Sequence, residues 1–300
     1  MKIVILTGPT ASGKTRIAGH LTDKHPNLFQ IISVDSVMVY KECNVGSGKP
    51  TPKELKKYPH DLINHLSLPN IFTAYDFLKE SHTILDACKR NNKIPLFVGG
   101  SMMYLNTLKN GLNRTANANQ DLREALLAEE KESPGILHKK LTRLNSNIAE
   151  RLASNDLVRL IRAIEQIQSS STGEEINGIN ASGLIELALF PEDRELLHTM
   201  IENRQHQIVG NGLLDECKNI QINFDLPKHH PINKAVNYKQ GFDVLNNKIS
   251  HKELFQKSFI ATRQLAKKQL TWIRSWQKIK LFDLNSGNKA IRYIEKSLEI

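Results

Sequence analysis

Cysteine, long apolar runs and acidic residues are all scarce in this chain, and each shortage excludes something. Cys43, Cys88 and Cys217 are the only cysteines in 300 residues. Their odd number and wide, unrelated spacing exclude a disulfide framework and a thiolate zinc site, so they read as reduced thiols. Eleven histidines include no HExxH pair; His60 with His65, and His229 with His230, read as polar surface rather than metal ligands. No run is long and apolar enough to cross a membrane. Met1-Lys2 leads directly into an apolar segment and a glycine loop. A cleaved leader would carry that loop away, so the cytoplasm is the expected location. Acidic residues number 31 against 41 lysines and arginines, a formal net charge of +10. That surplus attracts polyanions without saying which.

What is present begins with Gly8-Pro9-Thr10-Ala11-Ser12-Gly13-Lys14-Thr15. The run Ile3-Val4-Ile5-Leu6 before it reads as a buried strand, and Ile17, Ala18 and Leu21 after it have helical spacing. In a GxxxxGK[ST] loop between strand and helix, backbone N–H groups turn inward on an anion. The lysine, here Lys14, reaches further phosphate oxygens, and the hydroxyl of Thr15 can hold Mg²⁺. The helix adds its positive dipole end. Such a loop recognises a polyphosphate tail, so ATP and the diphosphate of another molecule fit it equally.

Residues 30–34 predict a second buried strand ending at Asp35, and a carboxylate at such a tip faces the ligand crevice of an open α/β sheet. It can serve there as a Mg²⁺ ligand or as a general base. A Gly-, Ser- and Pro-rich stretch at 44–52 predicts a long loop region, with a short helix over 53–57. Thr73 caps a predicted helix over 74–90. Residues 94–98 predict a third buried strand, ending in Gly99-Gly100-Ser101 rather than in the acid that a P-loop ATPase would use to organise Mg²⁺ and water. A glycine turn and a hydroxyl suit close approach of a ligand instead. Met102, Met103, Tyr104 and Leu108 read as core. From 115 to 170 only helical stripes occur, at 120–131, 136–144 and 157–168, and a flexible connection follows over 169–182. Residues 184–189 return the chain to the sheet, and a long helix opening at Pro191 carries Arg194 and Arg204. Residues 254–282 hold seven lysines and arginines and no acid, interleaved with Phe255, Phe259, Trp272 and Trp276. Solvated faces usually mix both signs, so this reads as a basic helix for phosphate-backbone contact. The fold class is α/β: a P-loop NTPase-like parallel-sheet core of residues 1–114 and 184–300, with a helical insertion domain at 115–183.

The ordered motifs resemble the tRNA dimethylallyltransferases, also called tRNA isopentenyltransferases, along nearly the whole chain. Beyond the phosphate loop, the resemblance rests on Asp35-Ser36 with Tyr40, Lys49-Pro50-Thr51, Pro59-His60 and Phe72-Thr73-Ala74-Tyr75-Asp76-Phe77. Val98-Gly99-Gly100-Ser101 with Tyr104, and Asp193-Arg194 with Leu197-His198, follow in the family's order. Its most specific part is Ala261-Thr262-Arg263-Gln264-Leu265-Ala266-Lys267-Lys268-Gln269-Leu270-Thr271-Trp272-Ile273-Arg274.

The resemblance implies transfer of a dimethylallyl group from dimethylallyl diphosphate to the exocyclic amine of the adenosine 3′ of the anticodon in tRNA, releasing diphosphate. It implies Mg²⁺ at Thr15, Asp35 as the general base and Ser101 beside it, with Gly8 to Thr15 and Arg194 around the diphosphate. Arg194 has the alternative of capping or pairing within its own helix. The tRNA-contacting positions it implies are Asp35, Ser36, Val37 and Met38; Ser101; Arg123; Val158, Arg159, Leu160, Ile161 and Arg162; Lys234, Ala235, Val236, Asn237, Tyr238 and Lys239; and Lys267, Lys268, Gln269, Leu270, Thr271, Trp272, Ile273 and Arg274. The expected partners are the tRNA anticodon stem-loop and dimethylallyl diphosphate, with no membrane and the chain acting as a monomer. The chain departs from the family where Ser101 replaces Thr, Asn237 replaces Gly and Lys234 and Lys239 replace Arg. Asn can adopt left-handed backbone and Lys still neutralises phosphate, but a bidentate contact is lost. Asp61 and Asn64 also replace commoner residues, with no reason visible in the sequence. A small-molecule kinase, an isopentenyltransferase for free adenine nucleotides and an RNA-binding NTP switch are the rival readings.

Overall fold

A computed structural model describes residues 1–113, 119–168, 175–179 and 183–300. Its strands are β1 (Ile3–Thr7), β2 (Phe29–Val34), β3 (His60–Asp61), β4 (Ile94–Gly99), β5 (Leu112–Asn113), β6 (Glu175–Ile176), β7 (Leu184–Leu189) and β8 (Lys280–Phe282). The helices are α1 (Lys14–Lys24), α2 (Pro52–Lys57), α3 (Ala74–Arg90), α4 (Met102–Asn110), α5 (Gln120–Glu132), α6 (Ile136–Leu144), α7 (Ser146–Ala149), α8 (Leu157–Gln168), α9 (Arg194–Gly210), α10 (Leu213–Asn223), α11 (Tyr238–Leu245), α12 (Leu254–Ser275) and α13 (Gly287–Leu298).

Six strands form one parallel sheet in the order β3-β2-β4-β1-β7-β8. Its inner strands are buried on both faces, which is why they read as unbroken apolar runs. On one face Val4, Leu6, Leu96, Val98, Leu187 and Leu189 pack against Ile17 and Leu21 of α1, Leu197 and Ile201 of α9, Leu270 of α12 and Ile294 of α13. Each such side chain fully withdrawn from water contributes about 1.5–3 kcal/mol. Strand order reverses around β1, flanked by β4 at Val4↔Leu96 and by β7 at Val4↔Ile185. The crevice of an α/β sheet opens at the carboxyl ends beside such a reversal. The loops that leave β1, β2, β4 and β7 therefore meet there.

Three expectations need correction. The basic helix ends at Ser275 rather than near 282; Lys280–Phe282 form the parallel edge strand beside β7, and Phe282 packs on Tyr293 at 5.4 Å between ring centres. Met103 is 55% exposed, unlike its buried neighbours Met102 and Tyr104. His230 is not surface but fully buried, with one ring nitrogen bonded to the Asn70 carbonyl at 3.2 Å. The three cysteines are free and buried.

The chain divides into two units, residues 1–110 with 178–300, and residues 111–177. In the second, α5, α6, α7 and α8 pack around Leu126, Leu137, Leu141, Leu160 and Ile164, and β5 pairs antiparallel with β6. The connection expected over 169–182 lies mostly outside the described residues. Among the described residues no helix is long and apolar enough to cross a membrane.

Candidate active site

The phosphate loop joins β1 to α1, and its lysine is folded back on it. Lys14 Nζ donates to the carbonyls of Pro9 (2.6 Å) and Gly8 (3.0 Å) and to Ser12 Oγ (3.3 Å). Removal from water pushes its pKa down from 10.5 to about 7; the nearby Arg204 guanidinium pushes the same way, and the Asp35 carboxylate opposes both. A cation held this reluctantly gains most when an anion arrives.

Asp35 stands at the tip of β2. Its Oδ1 accepts the N–H groups of Val37 (2.8 Å) and Met38 (3.0 Å), which fixes the rotamer and closes the 35–38 turn. Ser101 follows β4, and its Oγ accepts the Ser36 N–H at 3.1 Å. That bond leaves the hydroxyl proton of Ser101 for a donor role. The two strand tips can approach because Gly99 has no Cβ: one built there would overlap the Val34 carbonyl. A carboxylate and a hydroxyl thus share one turn beside the phosphate loop.

Arg204 acts electrostatically on Lys14 and feels Asp35, and the sequence reading did not assign it a role. It projects from α9 and donates to the carbonyls of Ser47 (3.2 Å) and Gly48 (3.1 Å); burial depresses its pKa, with Asp35 opposing. Arg194, expected at the diphosphate, is exposed at the first position of α9 and lines a groove of about 350 Å³ with Arg263, Lys267 and Arg274. The loop that holds Arg204 is itself held by Glu216, whose carboxylate accepts the N–H groups of Asn44 (2.9 Å), Val45 (2.7 Å) and Gly46 (2.9 Å) and the Tyr238 hydroxyl (2.7 Å). Asn237, at φ +73°, donates to the Gly46 carbonyl at 2.7 Å. Its position where Gly is common is explained by that backbone angle, which Asn tolerates better than most residues.

The expected tRNA-contacting residues divide by exposure. Val158, Arg159, Lys234, Lys239, Lys267, Lys268, Thr271 and Arg274 are exposed, whereas Leu160, Ile161, Asn237, Tyr238, Gln269, Leu270 and Ile273 turn their side chains into packed interior. Ser36, Val37, Met38, Ala235, Val236 and Trp272 are half-buried. Arg123 and Arg162 are both bonded to the buried Glu165, Arg123 through two nitrogens at 3.1 and 2.8 Å. The two departures without a sequence reason acquire partners: Asn64, at φ +54°, accepts from Lys49 at 2.7 Å, and Asp61 accepts from Gln30 at 2.7 Å. Tyr40 and Tyr104 are buried and grip the Phe72 backbone, one accepting its N–H and the other donating to its carbonyl, each at 3.1 Å.

Among the described residues no three His, Cys, Asp or Glu side chains converge on a metal position. Thr15 is exposed on the first turn of α1. With phosphate oxygens its hydroxyl matches the hard-oxygen preference of Mg²⁺, which takes few protein ligands. The residues fit an ion shared with the ligand.

A family model described as IPP transferase matches residues 38–276. The chain belongs to the IPP transferase family. It is 36% identical to a tRNA dimethylallyltransferase of Francisella philomiragia over 97% of its own length and 96% of the relative's. In structure it is similar to a full-length tRNA isopentenylpyrophosphate transferase of Bacillus halodurans, at 27% identity and TM-score 0.72 over 99% of this chain and 97% of that one. A tRNA delta(2)-isopentenylpyrophosphate transferase of Staphylococcus epidermidis gives 25% and 0.69 over 99% and 98%. In this member of the IPP transferase family the matched span begins just after Asp35 and ends just past α12.

Proposed function

We propose that this chain transfers the dimethylallyl group of dimethylallyl diphosphate to the exocyclic amine of the adenosine 3′ of the anticodon in tRNA, releasing diphosphate. The observation that carries this reading is the Asp35–Ser101 turn beside the Lys14–Arg204 cradle, in a chain that belongs to the IPP transferase family. Diphosphate leaves more easily as its charge is neutralised, by loop N–H groups, Lys14 and Arg204. Mg²⁺ held between Thr15 and the diphosphate would add to that neutralisation. The allylic C–O bond breaks with its electron pair going to diphosphate, a C–N bond forms, and the amine proton passes to the Asp35 carboxylate. Assistance is needed because the adenine amine's lone pair is delocalised into the ring. Ser101 donates its proton to a diphosphate oxygen or orients the amine. An adenosine within a stacked loop reaches such a pocket only when flipped out.

Lys267, Lys268 and Arg274, exposed on α12, take phosphates of the anticodon stem-loop; in the inserted unit Arg159 takes more, and Arg123, Val158 and Arg162 lie at the remaining tRNA contacts. The protein works as a cytoplasmic monomer. The test is to incubate it with Mg²⁺, labelled dimethylallyl diphosphate and one of three acceptors: unmodified tRNA with adenosines after the anticodon, free AMP, or ATP with small acceptors. Label is expected in tRNA and is lost in Asp35→Ala. Label in AMP would keep the chemistry and overturn the tRNA assignment; ATP consumption without prenyl transfer would make the cradle a kinase site.

A further inference from the structure

Gln269 is a polar residue on the buried face of α12, 7% exposed, between Ala266 and Ile273, both nearly inaccessible. Burying an amide costs free energy unless both of its ends are bonded. Both are: Oε1 accepts the Thr10 N–H at 2.9 Å, and Nε2 donates to the Gly100 carbonyl at 2.9 Å. The amide has one orientation that satisfies both partners. Its fit is close enough that a Cβ on Gly100 would lie 2.5 Å from Nε2. Thr10 belongs to the phosphate loop, and Gly100 immediately precedes Ser101, which binds the turn of Asp35. One side chain therefore spans from the loop that cradles the leaving group to the segment that carries the acid–base pair. The helix does not need these bonds for docking, because Ala266 and Leu270 already anchor it in the core.

We propose that Gln269 is a positioning residue that sets the distance between the diphosphate and the Asp35–Ser101 pair, and that its side chain does not contact tRNA. This rests on the function proposed above and assigns a separate duty to a position that the family resemblance groups with tRNA contacts. The neighbouring Lys268 is exposed and serves as the contrast.

The test compares full-length wild type, Gln269→Met, Gln269→Ala and Lys268→Met. Four quantities are read: Tm, the Kd of inorganic diphosphate with Mg²⁺, the Kd of unmodified tRNA, and kcat with KM for dimethylallyl diphosphate. Met keeps the volume and removes both hydrogen bonds; Ala serves if Met misfolds. The expected result for the Gln269 variants is diphosphate binding weakened about ten-fold, the scale of two lost hydrogen bonds, a lower kcat and an unchanged tRNA Kd. Lys268→Met is expected to show the reverse pattern in the two Kd values. Weaker tRNA binding with diphosphate Kd at the wild-type value would make Gln269 a tRNA contact and overturn the proposal. A lower Tm with both diphosphate Kd and kcat unchanged would reduce it to scaffold and overturn it equally. If wild type transfers no prenyl group to tRNA, the functional reading fails by itself, and diphosphate Kd still decides the role of Gln269.

Discussion

Binding of diphosphate should draw a proton into the site near neutral pH, and the structure sets how much. Lys14 in the ligand-free protein has its pKa pushed down to about 7, by burial first and Arg204 second. At pH 8 it then carries about 0.1 of a proton and at pH 6 about 0.9, from simple titration around that value. A bound diphosphate favours the ammonium and restores full protonation. Uptake at Lys14 is therefore about 0.9 proton at pH 8 and about 0.1 at pH 6. The assay is titration calorimetry of diphosphate binding in buffers of different ionisation enthalpy, whose slope counts protons. Diphosphate's own titration is removed by subtracting Lys14→Arg, which stays charged throughout. Equal slopes for wild type and Lys14→Arg at pH 8 would refute the depressed lysine. For stability the same shift acts in a stated direction. The unfolded chain keeps this proton up to about 10.5, so folding releases it between about 7 and 10.5, and stability gains as pH rises through that window.

Two further outcomes follow from neighbouring charges. Arg204→Met is expected to weaken diphosphate binding about 10- to 100-fold, the scale of lost charge-assisted hydrogen bonds. It should also shrink the Lys14 proton uptake, because the like charge that depresses Lys14 is gone; an unchanged uptake with unchanged affinity would place Arg204 outside the site. In the inserted unit, burial pushes Glu165 up, but its hydrogen bonds with Arg123, Arg162 and the Asn119 N–H outweigh this and hold its pKa at about 2. A depressed carboxylate contributes stability that is present above its unfolded value near 4.5 and is lost as pH falls towards 2. Amide protection in α5 and α8 should fall through that window in wild type and show a flatter pH dependence in Glu165→Gln. The same slope in both proteins would show that the pairing contributes nothing.

Much of the scaffold was legible because parallel strands and amphipathic helices each carry their own period. The predicted helix over 74–90 is observed with Thr73 as its cap, and residues 184–189 form β7 as expected. The C-terminal boundary was misread because Lys278 and Lys280 continue the acid-free basic stretch into a three-residue edge strand whose only packed residue is Phe282. The placement of the phosphate loop, Asp35 and Ser101 at strand ends was legible too, since each follows a buried strand and strand tips converge at a fixed edge of the sheet.

Arg204 was given no role, and Gln269 was grouped with the tRNA contacts rather than with the diphosphate loop, because both lie far along the chain on long helices, yet both carried a signal. The buried residues of α9 are Leu197, Ile201, Gln205 and Ile208, and Arg204 lies three after Ile201 and four before Ile208. Gln269 lies three after Ala266 and four before Ile273 on α12. Those spacings place each on the apolar stripe rather than the solvent side. A charged or amide side chain on such a stripe is costly unless something in the interior bonds it. The partners found are the Ser47 and Gly48 carbonyls for one, and Thr10 and Gly100 for the other. At Arg204 and at Gln269 a long polar side chain beside a helix's apolar stripe thus marks a backbone partner on a distant loop.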